Sequence, residues 1–254
     1  MAEEALLRSR LFEQHNIIGL FTQRSGGVSP QPFDSFNFGS GLGDSECNIE
    51  KNLKVLVEIC GLPNRPHQAK QVHGTNSQLF VGPGCIHPDE ADILISNQQG
   101  TALGARTADC LPVLLADPEA GIIAAVHAGW RGTAASVVCR GVAEMIKLGA
   151  SKGKIIASLG PCIGPCCFKV GEEAADQLSN CCKGAETCIS RSSDLHADIR
   201  SINRLQLLQC GLHESHIESF DACTACHPKH YYSYRRDGDK SGRHLGVVAL
   251  PANT

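Results

Sequence analysis

In residues 50–60 (EKNLKVLVEIC), apolar side chains fall at Leu53, Leu56, Val57 and Cys60. That three-and-four spacing predicts an amphipathic helix, which Gly61, Leu62 and Pro63 terminate. Residues 133–148, 171–179 and 198–210 carry comparable patterns and read as further helices. Short apolar runs at 93–95, 111–116, 121–126, 155–159 and 245–250 are each bounded by Gly, Asp, Pro or Asn, and predict strands. The alternation of helix and strand keeps no strict βαβ rhythm, so mixed α+β layers are expected rather than a doubly wound parallel sheet. Residues 26–44 (GGVSPQPFDSFNFGSGLGD) form one long loop, in which Phe33, Phe36 and Phe38 supply apolar surface to bury and favour order.

No fixed-period repeat, low-complexity tract or long linker interrupts this pattern, so residues 1–254 are expected to form a single domain. The 23 Lys and Arg against 26 Asp and Glu leave no basic excess to neutralise phosphates, which argues against nucleic acid as a partner. No run approaches the roughly 20 apolar residues of a membrane span, and the first residues (MAEEALLRSRLF) lack the apolar stretch of a signal peptide. A cytoplasmic protein is expected. Its 14 cysteines then read as free thiols, most of them small core residues, with the pairs Cys166–Cys167 and Cys181–Cys182 free or partly exposed.

Several attractive strings fail on chemistry. Residues 237–242 (DGDKSG) open like a calcium loop, but the closing bidentate Glu is replaced by Val248. Residues 223–227 (CTACH) spell a haem-attachment motif without the context that motif needs, and the spacing reads as chance or structural. Neither a Walker loop nor a dinucleotide fingerprint occurs.

His73, Cys110 and His127 each stand at an expected strand end, directly before a turn former or proline-bearing segment. Two imidazoles and one thiolate suit Zn²⁺, and three protein ligands with one open position is the arrangement of catalytic zinc. The same strings also fit a buried cysteine with two satisfied core histidines. They fit equally a metal-free hydrolase in which Cys110 is the nucleophile and His127 its general base. Arg131, just ahead of the helix expected at Thr133, and Arg24, at the mouth of the long loop, are candidate anion ligands.

Taken together, residues 22–29 (TQRSGGVS), 33–39 (FDSFNFG), 71–74 (QVHG), 107–113 (TADCLPV), 127–133 (HAGWRGT), 159–168 (LGPCIGPCCF) and 220–238 resemble the YfiH-like, or laccase-domain, family. This family is described both as multicopper polyphenol oxidoreductases and as zinc-dependent purine nucleoside enzymes. The resemblance implies a layered α/β/β/α single domain, a metal on His73, Cys110 and His127, and zinc as the cofactor, with copper as the competing ion. It also implies purine nucleosides and phosphate as partners. The activities would be phosphorolysis of adenosine, inosine, guanosine and methylthioadenosine, and deamination of adenosine to inosine. In that scheme Cys110, His127 and Asp109 are the expected catalytic residues, with Asp109 the proton shuttle, and Arg24, Asn37 and Arg131 bind substrate or phosphate. The alternatives are a copper-dependent polyphenol oxidase, a Cys–His hydrolase or amidase acting on cell-wall precursors, and a non-enzymatic interaction module. Phe36, Phe38 and residues 223–228 depart from the family's usual pattern.

Overall fold

The computed structural model describes residues 6–192 and 194–252. Two β-sheets lie face to face. One has four strands in the order Leu6–Arg8, Ile18–Thr22, His244–Ala249, Ala102–Thr107, all antiparallel. The other has six, in the order Ile217–Ser219, Ile156–Leu159, Leu111–Asp117, Ile122–Ala128, Ile93–Ser96, Ser77–Leu79. Its two edge pairings are parallel and the rest antiparallel.

The inner strands of both sheets are buried on both faces, which explains why they read as continuous apolar runs rather than alternating ones. Alternation survives as a division of labour between successive residues. Phe21 and Val248 point between the sheets and meet Leu114, Ile123 and Ile156 there. Leu20, Val247 and Ala249 point outward and pack on helix Glu46–Cys60 through Ile49, Leu53 and Leu56. On the far side, Val113, Leu115 and Val126 pack against helices Val137–Lys147, Glu172–Ser179 and Ile199–Gln209. The result is helix, sheet, sheet, helix, with one apolar layer at each boundary. This is the mixed α+β layering expected from the sequence.

Two elements differ from expectation. Helix Glu46–Cys60 starts a turn earlier than its apolar period suggests, and ends as expected at Gly61, whose φ of 60° is the left-handed cap glycine tolerates. The helix expected over 133–148 is broken into Trp130–Ala134 and Val137–Lys147 at Ser136, which has φ 58°. Side chains from helix Ile199–Gln209 occupy the break. Asn203 donates to Thr133 Oγ1 at 2.9 Å, and Gln206 donates to the Thr133 carbonyl at 2.8 Å. Tertiary hydrogen bonds thus stand in for helical ones there.

The loop over residues 26–44 contains no regular element, yet it is tied down. Phe36 and Phe38 are fully buried, with ring centroids 4.8 Å apart. Buried Asn52 accepts from Val28 N and donates to Ser29 Oγ and the carbonyls of Ser35 and Asn37. The loop therefore forms a fixed wall.

Candidate metal centre and its cavity

Leu111–Asp117 and Ile122–Ala128 form a hairpin in which Leu111 faces Ala128 and Pro112 faces His127. That register brings Cys110, one residue before its strand, beside His127 at the same sheet end. The third residue comes from elsewhere. His73 sits at φ 60° in the turn after strand Gln68–Lys70, and that turn is held by one side chain. Asp92, fully buried, accepts backbone N–H groups of Val72, His73 and Gly74 at 3.2, 3.0 and 2.7 Å. Its Oδ1 also accepts the His127 Nδ1 proton at 2.7 Å, and its carbonyl accepts His127 N–H at 2.8 Å. One carboxylate therefore sets both imidazoles.

The Cys110 Sγ to His73 Nε2 distance is 3.7 Å, and the ligand atoms of His73, Cys110 and His127 lie within 4.8 Å of one another. Because Nδ1 of His127 is taken by Asp92, its Nε2 is the atom left for a metal, the usual carboxylate–histidine arrangement at metal sites. Electrostatics favours ionisation of the sulfur. Burial alone would raise the Cys110 thiol, but the adjacent His127, with hydrogen bonding to both histidines, brings it down to about 6. Burial likewise disfavours charged His127, and the Cys110 thiolate and Asp92 overcome this and lift it to about 9. Gly129 closes the site from behind. A Cβ there would stand 2.5 Å from His73 Cδ2 and 3.2 Å from Cys110 Sγ.

The three residues open onto a cavity of about 540 Å³, ample for a nucleoside-sized ligand. Its wall carries the cationic side chains of Lys70, Arg106, Arg235 and Arg243 together with Leu42, Ile163, Phe168 and Tyr234. Burial, followed by the nearby charge of Arg243, holds the Arg106 guanidinium below its ordinary value. Arg235 lies over the Phe168 ring at 5.4 Å, and Arg243 over Tyr234 at 5.7 Å.

The other residues singled out by the sequence have different placements. Asp109 lines the cavity, but its carboxylate is engaged by Thr224 Oγ1 at 2.6 Å, Ser233 Oγ at 3.0 Å and Arg235 N–H at 2.6 Å. Arg24 lies away from this cavity, bonded to Asp34 Oδ1 and to the carbonyls of Pro32, Asp34 and Pro228. Arg131 falls inside the five-residue helix rather than ahead of it, exposed and stacked on Trp130 at 4.2 Å. Buried Asn37 accepts the N–H groups of Gly39 and Arg243 through Oδ1, so it reaches the cavity only through these two residues.

Sequence reasoning missed Asp92, Arg106, Arg235 and Arg243. Arg235 lay within a recognisable string, but Asp92, just before strand Ile93–Ser96, and Arg106, within strand Ala102–Thr107, are single polar residues with no local signature.

Two further groups among the described residues bring metal-competent atoms together. These are His67, Cys85 and His87, and Cys166, Cys167, Cys223 and Cys226. In the first, His67 Nδ1 and His87 Nε2 already satisfy each other at 2.8 Å. No helix among the described residues is long and apolar enough to cross a membrane.

A family model described as multi-copper polyphenol oxidoreductase laccase matches residues 18–251. A Deinococcus radiodurans protein named purine nucleoside phosphorylase is 35% identical, over 91% of this chain and 88% of its own length. The Shigella flexneri protein named purine nucleoside phosphorylase YfiH is 38% identical, over 89% of this chain and 91% of its own. Among solved structures, YlmD from Geobacillus stearothermophilus superposes with a TM-score of 0.90 at 29% identity, covering 97% of this chain and 96% of that one.

Proposed function

Because the chain belongs to the multi-copper polyphenol oxidoreductase laccase family, and relatives spanning most of its length are named purine nucleoside phosphorylases, we propose that it is a purine nucleoside phosphorylase. The observation that carries this reading is one juxtaposition. A His, Cys, His trio opens onto the same cavity as the half-buried guanidinium groups of Arg106 and Arg243 and a set of apolar and aromatic side chains.

The reaction breaks the bond between the base and the sugar's anomeric carbon and forms one from that carbon to a phosphate oxygen. Arg106 and Arg243 provide the forks that hold an anion, while Lys70 at the rim is paired with Glu90 at 2.9 Å. Asn37 sets Arg243 by accepting its backbone N–H, and Asp109 sets Arg235 in the same way. Both act as positioning residues. The rings of Phe168 and Tyr234 offer flat surfaces for a purine. Adenosine, inosine, guanosine and methylthioadenosine are the proposed substrates, and deamination of adenosine to inosine a second activity.

The trio fits a zinc ion: its donors are soft or borderline, and the outer carboxylate of Asp92 orients His127. When bound, the ion supplies Lewis acidity and lowers the pKa of a water at neutral pH. Copper competes for the same donors and would account for an oxidase activity.

Product analysis by mass-resolved chromatography tests the proposal, using metal-quantified protein and adenosine with and without phosphate. Phosphate-dependent adenine, with inosine in both samples and both products lost in His127→Ala, is the expected result. Unchanged adenosine with the metal fully bound would refute it.

One observation favours a second reading. Cys110, His127 and Asp92 stand in the order nucleophile, base and orienting carboxylate, as in a metal-free cysteine hydrolase. Equimolar zinc that blocks alkylation of Cys110 while supporting phosphorolysis would decide against it.

A further inference from the structure

The sulfurs of Cys166, Cys167, Cys223 and Cys226 converge about a single point. Their Sγ atoms all lie within 4.8 Å of one another, with Cys166 to Cys226 at 3.5 Å and Cys167 to Cys226 at 3.3 Å. Tetrahedral zinc with Zn–S bonds of about 2.3 Å spaces its sulfurs by about 3.8 Å. The two closest pairs lie within about half an ångström of that spacing, and every pair lies within about 1 Å of it.

We propose that Cys166, Cys167, Cys223 and Cys226 bind a second, structural zinc ion as a four-thiolate site distinct from the His73–Cys110–His127 centre.

Three observations besides the convergence support it. First, the backbone N–H of Gly164 donates to Cys223 Sγ at 3.2 Å, a bond that favours the thiolate form. Second, the loops supplying the four residues share few backbone hydrogen bonds. Between residues 161–168 and 222–227 the backbone makes one parallel bridge, Cys162 with Cys223, and one loop hydrogen bond, Thr224 N–H to the Cys162 carbonyl at 3.0 Å. Third, arginines brace both loops. Arg235 donates to the Cys167 carbonyl at 3.1 Å, and Arg236 to the carbonyls of Thr224 and Ala225 at 3.0 and 3.2 Å. Their charge lies close to a cluster that would be doubly negative with a divalent ion bound.

The site also gives the CTAC string of residues 223–226 a use other than haem attachment or chance spacing. Its position gives the ion a mechanical role. Thr224, between two of the ligands, donates to Asp109 Oδ1, while Phe168, next to Cys167, lines the cavity. An ion that pins the two loops therefore also fixes the Asp109 brace and the aromatic wall.

The test uses the full chain, purified with a phosphine reductant. A Cys110→Ser/His127→Ala double variant, which removes the first centre, is titrated with Co²⁺. One equivalent of tetrahedral cobalt with thiolate charge-transfer absorption is expected in it. That signal should vanish when Cys223→Ser and Cys226→Ser are added. Zinc counted by native mass spectrometry and its release from the wild-type chain by a mercurial thiol reagent give readouts that need no variant to fold. One zinc beyond the first centre, released as these four thiols are titrated, is the expected result. The proposal is overturned if the double variant binds no tetrahedral cobalt, if the signal survives loss of Cys223 and Cys226, or if the wild-type chain carries no zinc beyond the first centre.

Discussion

Asp92 carries the largest share of the geometry at the first centre for a single side chain. It takes three backbone N–H groups of the His73 turn and the Nδ1 proton of His127. Removing an outer-shell partner of this kind costs roughly 10- to 100-fold in metal affinity. Asp92→Asn is therefore expected to weaken zinc by that factor in competition with a chromogenic chelator; unchanged affinity would show that the imidazoles hold themselves. Cys110 gives a second expectation at this scale. In chelator-treated protein its folded value of about 6, against an ordinary 9.0, makes it a thiolate from mildly acidic pH upward. Its alkylation by iodoacetamide, followed residue by residue by mass spectrometry, should accordingly rise through pH of about 6. A midpoint near 9.0 would contradict the pairing with His127.

The elements matter here chiefly for where they end. The hairpin of Leu111–Asp117 and Ile122–Ala128 puts Cys110 and His127 at one sheet edge, and the chain then turns at Gly129 into a short helix. Gly129 is required by space rather than by backbone angle, since its φ is −74° and any Cβ would meet His73. Gly129→Ala is thus expected to lower zinc content sharply while changing thermal stability less. Equal zinc per chain in the variant would show that the His73 turn yields. On the opposite side, Asn52 projects from helix Glu46–Cys60 into the 26–44 loop and is fully buried. Asn52→Ala leaves the Val28 N–H and the Asn37 carbonyl without a partner, each costing about 1–3 kcal/mol if left unpaired. Loss of a few kcal/mol in urea unfolding is expected, together with faster proteolysis within the loop. Its aromatic content made the order of this loop legible in the sequence, but the partner that satisfies its backbone was hidden in a helix.

At the scale of the whole molecule, His244 couples the sheets to pH. It is buried on strand His244–Ala249, its Nε2 accepts the Tyr232 N–H at 3.0 Å, and burial drives it down to about 3 from 6.5. The unfolded chain therefore takes up a proton below 6.5 that the folded chain refuses, and stability falls as pH drops from 6.5 toward 3. Urea midpoints across that range should show this slope, and His244→Gln, an uncharged acceptor, should flatten it; an unchanged slope would assign it to carboxylates instead. The layered fold was largely legible from the chain itself, because strands buried on both faces and amphipathic helices leave unbroken and periodic apolar runs that depend on local sequence. The identities of His73, Cys110 and His127 were legible as well, each being a reactive residue set against a turn. What needed tertiary structure was every relation between distant segments. Asp92 reaches the His73 turn, the guanidinium groups of Arg106 and Arg243 converge, Ser136 breaks a helix to suit its neighbour, and four cysteines from two loops meet. Sequence determines which chemistry each residue carries and which face of its element it occupies, because both are set by nearest neighbours. Only the packing of the sheets and loops decides which of those groups share a site, since that depends on contacts between residues far apart in the chain.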